Sequence, residues 1–134
     1  MEKRLHSKLV REFKKENTFV YHIKDVPHTG ARVCDFLICR EGKLIAVEAK
    51  VIKRNKENFE NNYSEIIEKR LTTSQQAYRY NLLKAGAKYM VYAFVYSQQD
   101  IDIQHTEGIL YIVRYYLEND TVKNRLEYKM PYRL

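Results

Sequence analysis

One α/β domain, a mixed β-sheet flanked by helices, is the fold class the sequence predicts, and three observations predict it. Leu5, Leu9, Val10 and Phe13 recur at helical spacing. The runs 32–39 and 44–52 are apolar and rich in β-branched residues, with the turn-forming Arg40-Glu41-Gly42-Lys43 between them. A helical stretch opening near Ser74 leads into the apolar run 88–96, so that strand, helix and strand form a parallel crossover, expected to be right-handed. With 134 residues, 45% of them hydrophobic, the chain has material for one core and one domain over 1–134.

Taken in order, residues 2 to 16 read as a basic amphipathic helix whose polar face carries Lys3, Arg4, Lys8, Arg11, Lys14 and Lys15, either solvated or facing phosphate. Residues 19–23 read as a first strand, and Val26-Pro27-His28-Thr29-Gly30 as a loop delivering the chain to the hairpin. The stretch 53–63 is the most polar and reads as an exposed connection, with a short helix over 64–69. Ser74 opens the clearer helix, with Ala77, Tyr78, Leu82, Leu83 and Ala85 as its apolar face and Gly86 ending it. Residues 98–107 read as a loop, and 109–117 with 122–129 as a further hairpin turning at 118–121.

The central hairpin carries the chemistry. If Glu41-Gly42 is a two-residue turn, Arg40 faces Lys43 and Asp35 stands opposite Glu48, while Lys50 projects from the Glu48 face and Ala49 from the other. Like charges facing across a ladder are destabilising unless a cation lies between them. Two carboxylates, joined by a backbone carbonyl at Ala49, suit Mg²⁺. A lysine beside such an ion can orient or deprotonate water, or neutralise charge on a phosphate. The apolar runs Ile45-Ala46-Val47 and Phe36-Leu37-Ile38 mark these charges as interruptions of buried strands.

Helix, turn, Asp35 on a strand, Glu48-Ala49-Lys50 on the next and a helix opening with Gln75 resemble the PD-(D/E)XK nuclease superfamily, which includes restriction endonucleases and archaeal-type Holliday junction resolvases. The resemblance runs from about Glu2 to Tyr96, and departs from the family name at Cys34, where a proline is anticipated. It implies a restriction-endonuclease-like sheet, Asp35 and Glu48 as ligands to Mg²⁺ or Mn²⁺, Lys50 as the catalytic lysine, and a supporting glutamine at Gln75 or its neighbour Gln76. It also implies a first-helix glutamate, for which Glu2 fits best and Glu12 competes. The activity implied is a metal-dependent DNA endonuclease, structure-selective in the manner of a junction resolvase, working as a homodimer and leaving 3′-hydroxyl and 5′-phosphate ends. A RecB/Cas4-like exonuclease, a restriction-like endonuclease and a non-catalytic nucleic-acid-binding protein remain as alternatives.

A net charge of +7 and a pI near 9.3 favour a polyanionic partner, DNA being the simplest. His28, Thr29 and Arg32 in the loop, and Lys53, Arg54 and Lys56 after the Glu48 strand, are the candidate phosphate contacts. No signal peptide or membrane span is evident, so a cytoplasmic protein without membrane attachment is expected. Cys34 and Cys39, on opposite faces of one strand, can neither pair nor share zinc, and His6, His22 and His105 show no metal-ligand spacing. The twelve tyrosines are assigned no binding role.

Overall fold

The computed structural model describes residues 1–23, 32–101 and 105–134. Helix α1 (Glu2–Lys15) is followed by β1 (Phe19–His22), β2 (Phe36–Arg40), β3 (Lys43–Lys53), α2 (Lys56–Lys69), α3 (Thr73–Lys84), β4 (Lys88–Tyr96), β5 (Glu107–Glu118) and β6 (Thr121–Arg133). The six strands lie side by side in chain order. Only β3 and β4 are parallel, because only they are joined by helices long enough to carry the chain back across the sheet; every other neighbouring pair is antiparallel.

The central strands β3 and β4 are buried on both faces, while the outer strands β1 and β6 are largely exposed. Leu5, Leu9 and Phe13 of α1 pack with Phe36, Ile38, Ile45, Val47 and Ala49 on one side. Phe59, Ile66 and Ile67 of α2 pack with Ala46, Ile52, Tyr89, Val91 and Tyr115 on the other. Each such apolar side chain stabilises the fold by roughly 1.5–3 kcal/mol relative to exposure. Since neighbours on a strand point to opposite faces, Glu48 and Lys50 share the side of Ala46 and Ile52, under α2 and α3.

The hairpin register is the expected one: Arg40 faces Lys43 and Phe36 faces Val47. Glu41 and Gly42 sit at φ 52° and 76°, the left-handed pair that matches strand twist in a two-residue turn. β2, however, begins at Phe36 rather than Arg32. The Asp35 N–H turns to the Val47 carbonyl at 3.1 Å, so the chain bends out of the ladder at that residue.

Four further expectations are corrected. The polar stretch after β3 is helix α2, capped by the Asn55 side chain on the Asn58 N–H at 2.7 Å. Its apolar stripe is Phe59, Tyr63, Ile66 and Ile67, a helical repeat diluted by asparagines. Helix α3 is capped by Thr72 rather than Ser74, and its buried residue is Arg79, while Ala77 and Tyr78 are exposed. Within 98–107, residues Gln98–Asp100 form a 3₁₀ turn and Ile101 bridges Thr106. The terminal hairpin is longer at both ends than predicted, turning on Asn119 and Asp120 at φ 51° and 62°. No helix among the described residues is long and apolar enough to cross a membrane.

Candidate active site around Asp35

Asp35 is placed by the bend that precedes β2, and its side chain does the work the missing ladder residue would have done. Oδ2 accepts the Ala49 N–H at 2.8 Å, a backbone donor that would otherwise face an absent strand. Ala49 therefore meets the aspartate through its N–H. The Asp35 carbonyl in turn accepts from Ile23 at 3.0 Å, fixing the carboxylate from both sides. It is only 3% exposed.

Around this carboxylate the two faces of the sheet meet. On the β3 side Glu48 is fully buried, and Lys50 Nζ stands 3.5 Å from Glu48 Oε2, an ion-pair distance. Neither Glu48 oxygen has a hydrogen-bond donor among the described residues. Burial and then the Asp35 charge push its carboxyl up to about 8, against the pull of Lys50. Burial, joined by the Glu48 carboxylate, also pushes the neighbouring Cys34 thiol up to about 12, so that cysteine is no nucleophile.

On the α1 side Glu2 and His6, one helical turn apart, both reach Asp35. One ligand atom from each of Glu2, His6 and Asp35 lies within 4.8 Å of the others, close enough for a single ion. His6 Nε2 is 3.6 Å from Asp35 Oδ2, buried and without a hydrogen-bond partner. Burial lowers the His6 pKa more than Asp35 raises it, which favours the neutral, ligating imidazole. His22 stacks edge-on against His6, ring centroids 5.5 Å apart.

The metal-compatible set is thus Glu2, His6 and Asp35, and Glu48 lies outside that three-ligand group. Glu2, not Glu12, is the first-helix glutamate at the site; Glu12 accepts a hydrogen bond from the Tyr132 hydroxyl. His6, set aside on spacing grounds, is a member. The signal for it was present as Glu2 and His6 at i and i+4, which puts both on one face of α1.

The other expected residues fare differently. Gln75 closes a capping box with Thr72, its Oε1 taking the Thr72 N–H at 2.9 Å, and Gln76 donates to the Glu68 and Leu71 carbonyls. Gln75 is thus engaged at the start of α3, and Gln76 at the end of α2 and the link that follows it. Arg32 lies 3.6 Å from Asp35 Oδ1, beside the carboxylate rather than out in solvent. Lys53 donates to Gln98 and Arg54 to Asn58, at the end of β3, while Lys56 begins α2. His28 and Thr29 lie outside the described residues.

No family model matches the chain, and neither a curated protein nor a solved structure is significantly similar to it.

Proposed function

We propose that this chain is a divalent-metal-dependent deoxyribonuclease of the PD-(D/E)XK kind that hydrolyses phosphodiester bonds, acting as a structure-selective endonuclease on branched DNA. One observation carries the reading: carboxylates and an imidazole from α1, β2 and β3 converge on Asp35, and three of their polar atoms, both Glu48 oxygens and His6 Nε2, are buried without partners. Buried carboxylate oxygens without hydrogen-bond donors are costly, and a cation is a species that offsets them.

The donor set fits Mg²⁺ or Mn²⁺. Two carboxylates are hard oxygen ligands, and the His6 imidazole adds a donor Mn²⁺ accepts more readily than Mg²⁺. When bound, the cation supplies Lewis-acid stabilisation of charge on a phosphoryl oxygen. Glu2, His6 and Asp35 would hold it, and the Ala49 N–H keeps Asp35 in place. Lys50, held at 3.5 Å from Glu48 and mostly shielded from solvent, neutralises charge developing on the phosphate or orients the attacking water. The water oxygen bonds to phosphorus as the bond to the 3′ oxygen breaks, leaving 3′-hydroxyl and 5′-phosphate ends. A homodimer would supply the two cuts a four-way junction requires.

The test is cleavage of linear duplex, single-stranded, nicked and four-way-junction DNA by the wild type and Lys50→Ala, with Mg²⁺, Mn²⁺ or EDTA. Metal-dependent, paired cutting of the junction that Lys50→Ala abolishes is expected. Degradation that needs a free end would replace the endonuclease with an exonuclease. Binding without cutting in every lane would remove the enzyme.

A further inference from the structure

Helix α2 is interrupted at Asn62, where φ −135° and ψ 18° leave the helical region and the side-chain amide donates to the Asn58 carbonyl at 3.0 Å. Beside the interruption lies a hollow of about 510 Å³ lined by Lys53, Arg54, Asn58, Asn62, Lys69 and Arg70, with Glu65 as its one acid. Ile52 forms part of its wall, two residues beyond Lys50 and on the same side of β3. The hollow is therefore reached by following the Glu48–Lys50 face to the end of the strand.

The cations here are oriented without being neutralised. Lys53 Nζ donates to Gln98 Oε1 at 2.6 Å, Arg54 Nη1 to Asn58 Oδ1 at 3.1 Å and Arg70 Nη2 to the Val51 carbonyl at 3.1 Å, all uncharged acceptors. Elsewhere on the surface Arg40, Lys84, Lys129 and Arg133 are each paired with a carboxylate. Among the described residues Lys53, Arg54, Lys69 and Arg70 have no such partner. The second basic hollow, between α1 and the end of β6, is lined by Lys3, Arg4, Lys8, Arg11 and Arg133, with Glu107 paired to Arg133, but it lies by α1, which packs on the sheet face opposite Glu48 and Lys50. Four uncompensated cations spread over two elements, with two asparagine amides between them, match a ligand whose anions repeat along a chain.

We propose that the hollow beside the α2 interruption binds the phosphodiester backbone of nucleic acid next to the Glu48–Lys50 face, a placement that rests on the nuclease reading. Lys69 and Arg70 belong to this surface together with Lys53 and Arg54. Lys56 does not line this hollow; it lines a neighbouring one with Asp100 and Glu107, which Arg54 borders as well.

The test is fluorescence anisotropy of a labelled random-sequence DNA duplex over a salt series in EDTA, where cutting cannot intervene. Wild type is compared with the triple variant Lys53→Ala/Arg54→Ala/Lys69→Ala and with a control, Lys14→Ala/Lys15→Ala/Lys123→Ala, of equal charge change. Losing three phosphate contacts should lower the slope of log affinity against log salt by about 2–3 and weaken low-salt binding by roughly a hundredfold. The control should change both less, and all three proteins should melt alike. An unchanged slope in the triple variant, or an equal loss in the control, overturns the proposal. So does a wild type that binds no DNA. If the triple variant loses binding while the wild type cuts nothing in Mg²⁺ or Mn²⁺, this surface stands and the nuclease reading falls. If the wild type cuts and the triple variant binds as before, the reverse holds.

Discussion

Two charged clusters lie under α2 and α3 on the same face of the sheet, and they are finished to different degrees. Arg79 is 6% exposed, forks onto both Glu68 oxygens at 2.7 and 2.8 Å and stacks over the Tyr115 ring at 4.6 Å. Its charge is met by a carboxylate and an aromatic face, all from this chain, with Nε alone of its nitrogens left without a hydrogen-bond partner among the described residues. Glu48 is buried more deeply, yet among the described residues the cation paired with it, Lys50, stands off at 3.5 Å and both its oxygens lack hydrogen-bond donors. A buried charge completed by its own fold is a fastener. One left incomplete, beside a second carboxylate and an imidazole, is the pattern on which the proposed metal site rests.

The sharpest way to break that contrast is Glu48→Gln. Cleavage should fall by about a thousandfold or more, equivalent to about 4 kcal/mol of transition-state stabilisation, while DNA affinity in EDTA stays close to wild type. Cleavage at the wild-type rate would remove Glu48 from the site. The same variant isolates a pH effect on stability. Burial raises the Glu48 pKa in the folded chain, so the folded state holds a proton that the unfolded state releases; the metal-free wild type should therefore lose stability as pH rises from the usual glutamate range through about 8. Thermal melts of Glu48→Gln in EDTA should be flatter over that window, while added Mn²⁺, held by Glu2, His6 and Asp35, should raise the melting temperature of both proteins.

Arg79→Met probes the finished cluster. Removing one partner of a buried pair costs 3–5 kcal/mol when the other stays buried, but Glu68 is 40% exposed and can turn to water, so about 2–3 kcal/mol is expected in denaturant titrations. Cleavage per folded molecule should not change. A variant as stable as wild type would show that the fork contributes little, and one that folds yet fails to cut would tie the two clusters together.

Smallest is Gln75→Ala. Its side chain completes the α3 cap, so the loss is about 1 kcal/mol of stability with cutting retained. A large loss of cutting at unchanged stability would instead return Gln75 to the site the family resemblance implies.

How much of this was legible follows from how local each feature is. The stretch 53–63 reads as a connection because four asparagines and five charged residues outweigh Phe59 and Tyr63, although Asn55 three residues before Asn58 carries the capping signal and Phe59, Tyr63, Ile66 and Ile67 the periodicity. Arg79 could not be placed inside from sequence, because its burial depends on a glutamate eleven residues earlier and a tyrosine on β5.

What the sequence by itself determined is the β2–β3 hairpin: a two-residue turn sets the register, and strand alternation then puts Glu48 and Lys50 on one face, a consequence of backbone periodicity over a few residues. What only the tertiary structure decided is the company Asp35 keeps. The bend at the start of β2 turns its carboxylate onto the Ala49 N–H, and docking of α1 on the far face brings Glu2 and His6 to it. Those contacts follow from which helix face meets which sheet face, a packing choice made by Leu5, Leu9 and Phe13 against partners distant in the chain.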